Sequence, residues 1–226
     1  MTVQIQDRAH HAHHPHSTMG HHGPGAPRPL AWGRHYAMVH PEHFRVAYEI
    51  NPYMDLGAQP DLELALRQWE GLVAHIEGLG GRVDVLDQRA DSPDMVYAMN
   101  LGLALSDDRP RVAMSHMRYA ERRLEAASSS RWFEDLGFAL SYVGQAGVGA
   151  HFEAGDAFPY AGRLVVGFGP RTEELALKQL AVDFDVRVQG VRITHPGMYH
   201  LDLAFCPLDE RRALVCPAAF DAASAE

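Results

Sequence analysis

Between Asp61 and Leu79 the apolar positions Leu62, Leu64, Ala65, Trp69, Leu72, Val73, Ile76 and Leu79 recur at helical spacing. Pro60-Asp61 supplies a start and Gly80-Gly81 a stop, so the pattern predicts a helix over 61–79. A second helical pattern runs from about Tyr119 to Leu136, closed by Gly137, and a third covers Glu173 to Val182. Short apolar runs lie between them. His35–His40, Val83–Leu86, Met95–Leu105, Val112–Ser115, Phe138–Val143, Leu164–Gly167, Val186–Ile193, Tyr199–Phe205 and Ala213–Cys216 read as strands, whereas Tyr48–Asp55 is too rich in Pro and Asn for a helix. The helix starts are about 50–60 residues apart and each helix is followed by several strands, the order expected of an α/β fold built as a ring of repeated units. Asp221–Glu226 resembles a helix start with no helix after it, so the last repeat is expected to be missing.

Composition narrows the class. The 226 residues are 46% apolar and 22% charged, ordinary material for one sizeable domain. Twenty Lys+Arg against 29 Asp+Glu leave a formal charge of -9, which argues against a nucleic-acid partner and suits small cations. Two cysteines, Cys206 and Cys216, build neither a disulfide framework nor a four-cysteine metal site, and a reducing cytoplasm fits them. No apolar run has the length of a membrane span, and the first 30 or so residues lack the apolar middle of a secretory signal. Residues 1–32 hold seven of the fifteen histidines among Pro and Gly, and are expected to form a disordered arm with at most loose divalent-metal binding. The folded domain is expected over 33–226.

The chemistry-bearing residues gather at a few points. Glu153 and Asp156 are three apart with Gly155 between them, so the backbone can aim two carboxylates into one cleft, where they suit a cationic group such as a guanidinium. Pro93–Gly102 puts Asp94 at the entry to an apolar strand and Asn100 near its far end. Arg122 starts the second helix, Arg171 follows the tight turn Gly167–Pro170, and His200 stands in the apolar run Met198–Asp202. His116, His151 and His195 are scattered without metal-ligand spacing, so no zinc site is expected in the folded part. Gly144–Gly149 has its glycines in the wrong order for a dinucleotide fingerprint and reads as a flexible loop over the cleft, so no cofactor is expected.

In order and spacing these segments, with Cys206-Pro207-Leu208, resemble the dimethylarginine hydrolases of the amidinotransferase (guanidino-group modifying) superfamily, from about residue 35 to the C-terminus. The resemblance implies a pseudo-fivefold α/β propeller and a cysteine nucleophile assisted by a histidine and an acid. It gives Glu153 and His200 the catalytic acid and acid/base roles, and Asp94 the substrate's guanidinium nitrogens. It has Arg122 and Arg171 receive the substrate carboxylate, Asp156 position the cluster, and Asn100 bear on substrate choice. These residue types suit the reaction. A planar, delocalised guanidinium is a poor electrophile that needs carboxylate clamps, and its leaving amine needs a proton that a histidine can supply. In the family the nucleophile lies in a last module that this chain is expected to lack, Cys206 matches a non-nucleophilic position, and both thiols read as small buried side chains. Three functions therefore stand open: a guanidino hydrolase or amidinotransferase, a truncated or non-catalytic binder of arginine-like cations, and metal storage by the His-rich arm. An incomplete ring would leave strand edges uncovered, which predicts either poor stability or association into homo-oligomers through that gap.

Overall fold

The computed structural model describes residues 3–5, 35–105, 110–145, 148–209 and 211–226. Helix α1 (Leu62–Gly78) starts because the Asp61 carboxylate accepts a hydrogen bond from the Leu64 N–H at 2.9 Å. It stops because Gly80 takes a left-handed φ of 82°, which lets the Gly81 N–H reach the Ile76 carbonyl. Helix α2 (Arg123–Asp135) follows a single 3-10 turn, Ala120–Arg122, and is closed by Gly137 at φ 88°. Helix α3 (Glu174–Phe184) ends on Asp185 in the left-handed region.

Around the helices run β1 (Val3–Ile5), β2 (His35–Val39), β3 (Arg82–Leu86), β4 (Gly102–Leu105), β5 (Arg111–Met114) and β6 (Ala139–Tyr142). They continue with β7 (Gly144–Gln145), β8 (Val148–Gly149), β9 (Ala157–Tyr160), β10 (Arg163–Phe168), β11 (Val188–Arg192), β12 (Phe205–Pro207) and β13 (Ala213–Val215). Three sheets, β1-β2-β3, β4-β5-β6 and β9-β10-β11, share one plan. In each, the central strand pairs antiparallel with the strand before it and parallel with the strand after it. A parallel pair needs a long crossover, and α1, α2 and α3 supply it. The repeat expected from the helix spacing is thus an antiparallel pair followed by a helix and a parallel strand, present three times among the described residues, with β12-β13 as a further two-stranded sheet. Apolar clusters fill the space between layers: Val39, Leu86, Met95, Met114 and Phe133 in the first, Phe152, Leu164, Val166, Leu180 and Phe184 in the second, Val165, Ile193 and Leu201 in the third. By contrast α1 has no fully buried residue, and Leu62, Leu64 and Leu72 remain exposed.

Several expectations are corrected. Met95–Leu105 is not one strand: Pro93–Val96 and Ala98–Asn100 are 3-10 turns, closed by Tyr97 N–H to Asp94 O and Leu101 N–H to Ala98 O, and β4 begins only at Gly102. Likewise Leu201–Leu203 is a 3-10 turn ahead of β12, so His200 does not stand in a strand. A short buried apolar run looks the same whether it buries a turn or a strand, and here the turns win because they aim polar side chains inward. Cys206 is exposed on β12, and Cys216 is half-buried against the third cluster. Gly144–Gly149 carries the paired strands β7 and β8, and Gly144 packs on His116 away from the cleft described below; residues 146–147 lie outside the described residues. Within the expected N-terminal arm, Val3–Ile5 pairs with β2, while the histidines of 10–22 and their proposed metal binding lie outside the described residues.

Candidate active site

A cleft of about 400 Å³ opens between the irregular segment 41–60 and a floor made by turns. The wall contributes Phe44, Ile50, Tyr53 and Met54; the floor contributes Asp94, Asn100, Arg122, Arg171, His200 and Asp202. Five of the seven predicted site residues therefore face one cavity. The other two, Glu153 and Asp156, lie directly behind it, fully buried. Short turns explain the convergence. Asp94 sits in Pro93–Val96, Asn100 ends Ala98–Asn100, Arg122 ends Ala120–Arg122, Glu153 leads into Ala154–Asp156, and His200 leads into Leu201–Leu203.

Glu153 is the hub. Its Oε1 accepts the Arg118 backbone N–H at 3.0 Å, and its Oε2 accepts from Arg171 Nη1 at 3.0 Å. His200 Nε2 lies 2.7 Å from the same Oε2, and an ionised carboxylate only accepts, so Nε2–H donates. Burial pushes the Glu153 carboxyl upward, but the His200 hydrogen bond and charge, with the charges of Arg171 and Arg122, hold it well below the usual carboxylate range. Burial disfavours the His200 imidazolium, yet Asp156, Glu153 and Asp202 raise its pKa above the ordinary histidine value. The pair is poised to keep a proton on the ring.

The other acids differ. Burial pushes Asp156 up to about 7, tempered by the His200 charge, the Thr172 hydroxyl and the Leu201 N–H. Its Oδ1 accepts that N–H at 2.8 Å, pinning the residue next to His200, and its Oδ2 has no partner among the described residues. Burial also raises Asp94 and Asp202, each countered by nearby cations. Asp94 is 4% exposed and its carboxylate makes no ion pair within 4 Å among the described residues; the charges of Arg122 and Arg171 and the Tyr48 hydroxyl lie near it, and it lines the cleft. Asn100 Oδ1 accepts the Gly155 N–H at 3.0 Å, and a side chain at Gly155 would collide with that oxygen, which is why glycine stands there.

The two arginines are more engaged than the resemblance implied. Arg122 grips Glu125 through Nε at 2.9 Å and Nη2 at 2.7 Å, and the same Nη2 reaches the Asp94 carbonyl. Burial pushes Glu125 up to about 7 against the pull of Arg122. Arg171 holds Glu153 and the Ile50 carbonyl while its guanidinium packs on the rings of Tyr119 and Tyr199, 4.8 and 4.6 Å from their centroids. Sequence reading missed Asp202, Tyr97, Tyr199 and the 41–60 wall, all of which line the cleft, and Glu125 beneath it. It also treated as scattered two histidines that the fold stacks: the His116 and His151 rings are 4.7 Å apart. No three His, Cys, Asp or Glu side chains come together to hold a metal ion among the described residues.

This α/β fold joins, at one cleft, a buried acid and a histidine–carboxylate pair, the combination that holding a flat organic cation and transferring a proton to it call for. No protein-family model matches the chain. The dimethylarginine dimethylaminohydrolase of Mycobacterium tuberculosis is 33% identical over 193 residues, 85% of this chain and 62% of that protein. The N-terminal domain of ArgZ, a cyanobacterial arginine dihydrolase, shares the fold with a TM-score of 0.76 at 34% identity, over 84% of this chain and 68% of that one. The DDAH of Pseudomonas aeruginosa, 16% identical with a TM-score of 0.65 over 80% of this chain and 68% of its own, matches in fold. The chain belongs to the family of dimethylarginine hydrolases and arginine dihydrolases, and it spans about 62% of the length of the Mycobacterium relative.

Proposed function

We propose that the cleft binds an arginine-like guanidinium and that the chain carries the acid–base half of a guanidino-group hydrolase. The observation that carries this reading is the buried Asp94 carboxylate, without an ion pair within 4 Å among the described residues, lining the same cavity as His200, with Glu153 behind the ring. Asp94 accepts the forked N–H donors of the substrate, and Asp202 lies within the same floor to share that charge. In the family chemistry a thiolate adds to the central carbon to give a tetrahedral adduct; His200 gives its proton to the leaving amine as the C–N bond breaks, then takes one from the water whose attack releases the thiolate. Glu153 keeps the imidazolium oriented through both steps. Asp156 fixes the residue after His200, Asn100 shapes the floor, and Arg122 and Arg171 draw the substrate carboxylate by charge while their forks hold protein acids. The threefold repeat of the sheet–helix unit supports a ring-like arrangement of such units, the propeller that the resemblance implies.

One observation favours a second reading, binding without turnover. The family chemistry uses a thiolate, and neither thiol of this chain lines the cleft: Cys206 is exposed on β12 and Cys216 packs into the third cluster. Calorimetric titration with arginine, dimethylarginine and ornithine, run beside an assay for citrulline, separates the two. Guanidino ligands that bind while ornithine does not support the site, citrulline formation decides for the hydrolase, and failure of every ligand to bind defeats both.

A further inference from the structure

Among the described residues, the tip of the 41–60 segment is tied across the cleft by two hydrogen bonds. The Tyr53 hydroxyl donates to the Gly197 carbonyl at 3.0 Å, and Arg171 Nη2 donates to the Ile50 carbonyl at 3.1 Å. The first tie ends on a loop. The second ends on a guanidinium whose other arm, Nη1, holds Glu153 Oε2, the oxygen that also receives His200.

A guanidinium is rigid and planar, so its two arms cannot move independently. The Tyr119 and Tyr199 rings pack against it, their centroids 4.8 and 4.6 Å from its central carbon, and restrain it further. A displacement of Ile50 therefore becomes a displacement of Nη1, and the carboxylate shared with His200 must follow or lose a charge-assisted bond. We propose that Arg171 is a positioning residue that couples the seating of the 41–60 segment to the alignment of Glu153 with His200. Resting on the guanidino-binding reading, this explains how a filled cleft, by seating its wall, would set the histidine for proton transfer. Arg171 thereby acts through another residue, and its charge toward the substrate carboxylate is secondary.

The test is a double-mutant cycle on the ligand-free 226-residue chain, with the His200 imidazole titration followed by NMR and assigned by comparison with His200→Gln. Tyr53→Phe removes the other tie without touching Glu153. It should speed amide exchange in 48–56 and lower the His200 midpoint by about half a pH unit, through the weakened bond to Glu153. Arg171→Lys keeps the positive charge but cannot span both acceptors, so it should lower the midpoint by itself and abolish the further effect of Tyr53→Phe. Additive shifts would mean that Arg171 is an ordinary structural ion pair and would overturn the coupling. If Arg171→Lys does not fold, Tyr53→Phe alone decides, because faster exchange at 48–56 with an unmoved His200 midpoint also overturns it. Arginine binding is measured separately, so a non-additive cycle in a chain that fails to bind arginine would sink the functional reading and leave the coupling standing.

Discussion

Replacing Glu153 by glutamine keeps the shape of the side chain and removes the charge that three donors converge on. The Arg118 N–H, Arg171 Nη1 and His200 Nε2 all point at this carboxylate, which has no exposure to solvent. A glutamine offers one acceptor oxygen and one NH2 group. If the oxygen faces Arg171 and His200, the NH2 meets the Arg118 N–H; if it is flipped, the NH2 meets two cationic donors. Either way a buried guanidinium loses its anion. Breaking a buried pair by removing one partner costs about 3–5 kcal/mol, a large share of the roughly 5–15 kcal/mol that holds a domain folded. For a domain of this size each kcal/mol moves Tm by about 2–4 °C, so Glu153→Gln should melt about 6–20 °C below the parent. Urea unfolding at pH 6 gives the free energy, and NMR gives the His200 midpoint, which should fall because burial then acts with less opposition. A variant within about 0.5 kcal/mol of the parent, with an unmoved His200, would refute the reasoning.

Asp156 keeps its proton in the folded state up to about pH 7, while the unfolded chain releases it near 3.8, so stability should decline as pH rises through that window. Asp156→Asn still offers an oxygen to the Leu201 N–H and should flatten that decline in urea titrations across pH 4–7; identical slopes would contradict the assignment. The Glu153–His200 pair has its own window: the Glu153 contribution is present above its ordinary value of 4.5 and fades as pH falls through its lowered value, and the His200 contribution is present below 6.5 and fades as pH rises through its raised value. The Glu153→Gln penalty should therefore be largest between about pH 4.5 and 6.5 and shrink on both sides; a penalty that grows at pH 9 would contradict it. On the reading of binding without turnover, citrulline formation from arginine or dimethylarginine should be at background, and Cys206→Ser and Cys216→Ser should change nothing. Turnover lost in one of these variants would identify that thiol as a displaced nucleophile.

The helices were legible because their apolar periods are long, and the first two stop at glycines that take left-handed backbone, Gly80 and Gly137. The cleft residues were legible by type: Asp94, His200 and the two arginines line one cavity with Glu153 directly behind it, although the runs carrying Asp94 and His200 were read as strands. Short turns such as Ala98–Asn100 and Leu201–Leu203 bury apolar side chains as a strand does, so periodicity over so few residues does not tell them apart. Two signals were present and unread. Arg122 and Glu125 stand at i,i+3 spacing at a helix start, a spacing that pairs charges, and Asp202 is two residues from His200, close enough to share its cleft. The cleft wall from 41–60 left no such trace, because an irregular segment is placed by distant partners such as Arg171, Gln88 and Gly197, and those contacts exist only once the chain has folded.

The central claim is that a guanidinium is held by charge at Asp94 beside His200, and calorimetry with L-arginine on the parent chain and on Asp94→Asn tests it most directly. The parent should bind arginine at one saturable site, and Asp94→Asn should weaken it by about 2–5 kcal/mol, the range for removing one partner of a desolvated charge pair, while neutral citrulline is weakened much less. Arginine binding equally well to parent and variant, or losing no more than citrulline does, would contradict it.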